Sequence, residues 1–248
     1  MNRMWTLGAV AGLALAMGCS NNVAPDGARL SLTIATPAQP TAARSGLPAA
    51  AADTLGDSVN TLIVTSVQLV LREVELDPVE AGDSAPDSTH REEFEAGPLR
   101  LDLPLGGGAD QMVSVAVTPG SYDKIEFEIH TVSSDDPAEA DFRAANPELV
   151  GASIRVQGSF NGTAFTYTTD MDQEQEAEIT PPLVVDETGA TANLTLRVDP
   201  RGWFLDHGGS LVDPATANHG GPNESLVESN IERSFEAFED EDHDGAED

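Results

Sequence analysis

The chain has 248 residues, 43 Asp plus Glu against 12 Lys plus Arg, and a formal net charge of −31. Charge of that sign repels nucleic acid and anionic lipid head groups, and it attracts divalent cations or basic partners. Adaptation to a salty habitat would leave the same excess. Hydrophobic residues make up 40%, enough for one large core, and the single cysteine rules out an internal disulfide.

At the N-terminus, Arg3 precedes an apolar run from Trp5 to Met17. That pattern reads as an export signal, and the run is short for a membrane span. The stretch Leu15-Ala16-Met17-Gly18-Cys19 resembles a bacterial lipoprotein box. The resemblance implies cleavage after Gly18, diacylglyceryl on the Cys19 thiol and acyl chains such as palmitate holding the protein to the membrane. Ser20 in place of Asp implies the outer membrane, facing the periplasm or the surface. The alternative is an ordinary export signal with an incidental cysteine. On this reading residues 1–18 are removed and 19–27 form a polar tether.

The chain then alternates. Leu30, Leu32 and Ile34 predict a first strand, and residues 36–57, rich in Ala, Pro, Ser and Thr, predict a long loop. Leu62 to Leu76 predicts the longest strand. Its period of two changes phase near Leu71 to Glu73, which predicts a β-bulge or a bend. Asp77 to Gly97, acidic and holding two prolines, reads as a loop. Leu99, Leu101 and Leu103 predict a short strand, and Val113, Val115 and Val117 another. After the Pro119-Gly120 turn, Ile125, Phe127 and Ile129 alternate with Lys124, Glu126, Glu128 and His130, predicting one oily face and one wet face. An antiparallel hairpin between the last two strands follows from the turn.

Asp136 with Glu139 resembles a capping box opening a helical turn over Ala138 to Ala145. Asn161-Gly162 between Ile154/Val156 and Phe165/Tyr167 is a strong hairpin signal. Met171 to Glu178 is acidic, Pro181-Pro182 interrupts it, and Leu183 to Val185 predicts a short edge strand. Ala192, Leu194, Leu196 and Val198 predict the last clear strand. About nine strands at short intervals predict a mainly β fold, an antiparallel β-sandwich of Ig-like or prealbumin-like type over residues 28–205.

Trp203 and Phe204 read as a plug at one end of the core. A Gly/Pro-containing loop spans 206–223. Val227, Ile231, Phe235 and Phe238 recur at four, four and three, predicting a C-terminal amphipathic helix over 224–239, with Ser225 and Glu228 as its capping box. Residues 240–248 form an acidic tail. Asp240, Asp242 and Asp244 before Gly245, with Asp248 beyond, resemble the start of a Ca²⁺ loop that lacks its bidentate Glu. Weak Ca²⁺ binding and a simple solvated tail are the two readings.

No motif for catalysis stands out: the Gly-x-Ser-x-Gly elbow, the phosphate loop and the dinucleotide fingerprint are all missing from the sequence. His207 and His219 share a Gly-rich segment with Asp206 and Asp213, where scattered histidines are usually exposed rather than metal-bound. His130 is expected to form a surface charge pair with Glu128.

The stretches Val64 to Leu76, Leu99 to Leu105 and Pro119 to Ile129, behind a lipobox, resemble the bacterial lipoproteins that carry a DUF4382-like domain. Leu55-Gly56-Asp57-Ser58 stands where that family has its "itDaP" opening. The resemblance implies no catalytic residue. The expected function is a lipid-anchored, non-enzymatic envelope protein with a structural or ligand-binding role, its partners being the membrane and an envelope protein or polysaccharide. The alternatives are a carbohydrate-binding accessory lipoprotein, with Trp203 and Tyr167 as stacking candidates, and an extracellular glycan-acting enzyme.

Overall fold

A computed structural model describes residues 28–37, 52–79, 92–94, 98–186, 191–240 and 245. Twelve strands are present among them. They are β1 (Arg29–Thr36), β2 (Asp53–Gly56), β3 (Thr61–Pro78), β4 (Glu92–Phe94), β5 (Leu99–Asp102), β6 (Gly108–Ala116), β7 (Gly120–Ile129), β8 (Ile154–Phe160), β9 (Thr163–Thr169), β10 (Gln173–Val185), β11 (Thr191–Val198) and β12 (Phe235–Glu239). Helices α1 (Ala140–Ala145) and α2 (Glu224–Glu232) are short, and no described helix is long and apolar enough to cross a membrane.

The strands form one curled sheet in the order β6-β1-β11-β12-β10-β7-β3-β8-β9, with β2, β4 and β5 also paired to β3. The sheet is mixed, which corrects the antiparallel expectation: β1 runs parallel to β11, and β10 parallel to β12. The second parallel pair follows from β12 lying between β11 and β10. It is antiparallel to β11 and contacts β10 through Ile179 opposite Ala237. Inward residues of both halves, among them Leu32, Leu196, Leu69, Ile125 and Ile179, belong to one continuous buried cluster. Burying apolar side chains on one shared face is what makes a sheet of this size curl around them.

Strand β7 sits between β3 and β10, antiparallel to both. With both edges occupied it cannot pair with β6, so the hairpin expected across Pro119-Gly120 does not form, and β6 pairs with β1 instead. Tyr122 Oη donates to the Thr118 carbonyl at 2.7 Å and so fixes that crossing. The wet face is also drier than its alternation implies, because Glu126 and His130 are both buried.

The phase change in β3 is a bulge. Glu73 has φ 52° and the register against β7 shifts between Arg72 and Glu75. Asn161 (φ 52°) and Gly162 (φ 78°) make the tight turn between β8 and β9, with Val156 opposite Tyr167. The loop expected over 36–57 holds strand β2 at its end, and β4 lies within the loop expected over 77–97. The short edge strand expected after Pro181-Pro182 is instead part of β10, which runs for 13 residues between β7 and β12 with Ala177, Ile179 and Leu183 inward, and the prolines mark a register shift against β7 between Glu178 and Leu183.

The C-terminal helix is shorter than its stripe predicts. Helix α2 ends at Glu232, and Phe235–Glu239 is a central strand that completes the sheet. Ser225 lies inside the helix and Asn223 occupies the cap position, so the second capping box is absent. The segment before it does plug the core. Trp203 and Phe204 are fully buried, and Phe204 meets Tyr167 edge to face at 5.3 Å.

Candidate functional site

The described residues concentrate positive charge in one place. An open cavity of about 560 Å³ is lined by Arg197, Arg201 and Arg233 together with Asp199, Asn230 and Glu236. Three of the chain's 12 basic residues therefore share one cavity. Three guanidinium groups against Asp199 and Glu236 give a formal local charge of +1 in a chain of −31.

Each arginine is held by a different element. Arg197, on β11, faces outward because Leu196 and Val198 face the core. Its guanidinium lies 4.9 Å from the Phe238 ring centroid and pairs with Glu236 through Nε and Nη2. Arg201 follows β11 in a 3-10 turn capped by Asp199, whose carboxylate accepts from the Arg201 backbone N–H. The same carboxylate accepts from Arg201 Nε and Nη2, both at 2.7 Å. Burial pushes Asp199 up, but the bonds and charge of Arg201 outweigh it and hold the carboxyl below its ordinary 3.8. Hydrogen bonding to Asp199 correspondingly raises Arg201.

Arg233 stands just past α2. Its Nη2 donates to Asn230 Oδ1 at 2.8 Å. Asn230 cannot turn, since its Nδ2 donates to the Trp203 and Leu205 carbonyls at 3.0 and 2.8 Å. Among the described residues these bonds engage Nε and Nη2 of Arg197 and Arg201 and Nη2 of Arg233. A guanidinium offers five N–H groups in a rigid fork, so one that is already paired still presents an oriented edge to an oxyanion.

Comparison of the chain with protein-family models, curated proteins and solved structures finds no match. The residues themselves carry the argument.

Of the site residues expected from sequence, Cys19, Asp242, Asp244 and Asp248 lie outside the described residues. Asp240 lies within them and is fully buried. Its Oδ2 accepts from Thr195 Oγ1 at 2.8 Å and from the Gly245 N–H at 3.0 Å. Trp203 and Tyr167 are each 0% exposed and offer no ring to a sugar. His207 is exposed. His219 is exposed too, 3.1 Å from Glu224 and 3.6 Å from Asp170. His130 is a correction in its burial: it stands beside Glu128 as expected, 3.7 Å from Oε1, but as a buried ring whose Nε2 lies 2.6 Å from Glu139 Oε1. Glu139 serves that ring and the Ser133 N–H rather than closing a capping box, while Asp136 does cap the turn through the Ala138 N–H.

Sequence reasoning missed the arginine cavity because its members lie on β11, in a 3-10 turn and beyond α2. The one signal available was scarcity: with only 12 basic residues, Arg197 and Arg201 four positions apart form a local enrichment.

Proposed function

We propose that this chain is a lipid-anchored envelope protein, held to the outer membrane through Cys19, whose β domain binds a small anionic ligand between Arg197, Arg201 and Arg233. The observation that carries the binding role is the convergence of three guanidinium groups on one cavity in so acidic a chain. Net negative charge elsewhere keeps polyanions away by long-range repulsion, so a compact carboxylate or phosphate fits better than a nucleic acid. The burial of Trp203 and Tyr167 counts against recognition of neutral sugar by stacking on those rings. The lipobox and the likeness to DUF4382-like lipoproteins support the anchor and a non-enzymatic role. The two halves of the curled sheet, sharing one core, support a sandwich-like arrangement.

Calorimetric titration with citrate, glucuronate and phosphate tests the binding role. Saturable binding that Arg233→Gln weakens at least tenfold supports it, and no heat from any of the three at millimolar concentration counts against it. Labelling of cells with an alkyne fatty acid tests the anchor. Label that stays on Cys19→Ser, or a C19S protein still in the membrane fraction, ends that part of the proposal.

A second reading concerns the tail. Gly245 N–H donates to Asp240 Oδ2 at 3.0 Å, so the two ends of the sequence Asp-x-Asp-x-Asp-Gly meet, which favours weak Ca²⁺ binding there. Thermal unfolding with and without millimolar Ca²⁺ tests it. A stabilisation by Ca²⁺ that persists in Asp244→Asn would place any such ion elsewhere.

A further inference from the structure

His130 lies just past β7 and keeps the strand's alternation, so its side chain shares the outer face with Glu126 and Glu128. Its backbone N–H donates to the Val70 carbonyl at 3.0 Å. The imidazole is only 7% exposed. On one side, Nε2 meets Glu139 Oε1 at 2.6 Å, and Glu139 Oε2 accepts from the Ser133 N–H at 2.8 Å. Taking Glu139 as a carboxylate, which can only accept, assigns the ring proton to Nε2. Nδ1 is left with its lone pair and no hydrogen-bond partner. Glu128 Oε1 is 3.7 Å away, too far for a hydrogen bond.

The third member stands just before the neighbouring strand, β10. Gln173 pairs with Ile129, so Asp172 falls beside His130. One ligand atom from each of Glu128, His130 and Asp172 lies within 4.8 Å of the other two. Glu128 and Asp172 line a cleft of about 340 Å³ between β3, β7 and β10, and the buried His130 ring stands beside them. Arg72 reaches Glu128 with Nε at 2.9 Å and Nη2 at 3.3 Å, which holds that carboxylate in place. Glu128, Asp172 and Glu139 against Arg72 make three negative charges to one positive, a formal −2 when ionised.

We propose that His130 Nδ1, Glu128 and Asp172 bind a first-row divalent cation, Zn²⁺ foremost, with Glu139 as the carboxylate that orients the imidazole. Zinc–nitrogen and zinc–oxygen bonds of about 2.1 Å hold tetrahedral neighbours about 3.4 Å apart. The 3.7 Å gap between His130 and Glu128 is close to that spacing, and the exposed Asp172 already meets Glu128 through a side-chain hydrogen bond. A ligating imidazole whose other nitrogen donates to a carboxylate is the usual support for such a metal. Imidazole selects against Ca²⁺ and Mg²⁺, which prefer all-oxygen shells. The site is independent of both the lipid anchor and the arginine cavity. The His219 cluster carries no such inference, because that ring is 80% exposed and its surroundings are solvent.

Titration of the chelator-stripped full chain with ZnCl₂, followed by calorimetry, tests the site, with NMR of the histidine ring nitrogens as a second readout. The expected result is one saturable site, a Zn²⁺-dependent shift of His130 Nδ1 with Nε2 still protonated, and affinity lowered at least tenfold in Asp172→Asn and in His130→Gln. Because His130 is buried, H130Q counts only if its circular dichroism matches the parent. D172N changes an exposed residue and decides the matter otherwise. His219→Ala is expected to leave the affinity unchanged. Absence of saturable binding below millimolar Zn²⁺, unaltered affinity in D172N, or loss of binding in H219A would each overturn the proposal.

Discussion

Trp203 Nε1 donates to Ser234 Oγ at 2.8 Å, tying the plug of the core to the turn where α2 gives way to β12. Ser234 Oγ in turn donates to the Ile231 carbonyl at 2.7 Å, and the Ser234 N–H bonds the same carbonyl at 2.9 Å. The helix, which ends at Glu232, is thereby stopped short of Phe235, and the largest buried side chain reports on that stop.

Ser234→Ala removes the acceptor and leaves a buried indole N–H unpaired. A donor stranded in this way costs about 1–3 kcal/mol. Urea unfolding followed by tryptophan fluorescence should show a lower midpoint with an unchanged slope. An unchanged midpoint would mean that water reaches the indole.

Ala237 lies in the middle of β12, opposite Leu196 on one side and Ile179 on the other. Ala237→Pro removes a ladder donor and forces a ring into a strand with neighbours on both edges, which sheets tolerate only at their margins. The variant should lose cooperative unfolding. Were Phe235–Glu239 the end of an amphipathic helix lying on the domain, as the spacing of Val227, Ile231, Phe235 and Phe238 suggests, the same change would cost about 3 kcal/mol and leave the domain folded. Circular dichroism of A237P separates the two.

That difference shows where the sequence is legible. Strands with one buried face, such as Leu30-Leu32-Ile34 and Leu194-Leu196-Val198, announce themselves by period two, and the Asn161-Gly162 turn by its residue types. Strand β12 does not, because Phe-Glu-Ala-Phe-Glu lacks strict alternation and its phenylalanines extend a genuine helix stripe. The partnering of β6 with β1 was illegible for another reason: pairing depends on which edges remain open, a property of the whole sheet. His130 was misplaced because alternation gives the face of a strand but not what covers it. Here the cover is the turn holding Glu139, nine residues on. The arginine cavity is assembled by three elements and has no local pattern at all.

Two glycines in the β8–β9 hairpin should respond oppositely to the same methyl group. A Cβ on Gly158 would lie 2.0 Å from the Ile63 carbonyl oxygen, where bulged β3 presses against β8. Gly158→Ala must therefore move backbone, and it is expected to cost about 3 kcal/mol or more. Gly162 has open space around its Cβ direction but φ 78°, so Gly162→Ala meets only conformational strain of about 1–2 kcal/mol. Thermal unfolding of both variants checks the order; equal losses would contradict the close approach at Gly158.

Asp57 should shape the acid limb of stability. Its carboxylate accepts from the Asn60 and Val59 N–H groups, both at 2.6 Å, and from the Leu211 N–H at 2.9 Å. These bonds, led by the one from Asn60, lower its pKa from 3.8 to about 2. A carboxyl more acidic folded than unfolded binds fewer protons in the native state, so its stabilising contribution is complete above the ordinary carboxylate value. That contribution fades as pH falls from about 4 toward about 2, and it is gone below both values. Asp57→Asn keeps the shape and one acceptor oxygen but cannot titrate. Unfolding free energies measured from pH 5 to pH 2 should fall less steeply for D57N than for the parent. The Leu211 bond also joins the turn between β2 and β3 to the loop after the plug, so D57N should lose stability at pH 7 as well. Parallel pH profiles for the two proteins would show that Asp57 gains no acidity from the fold.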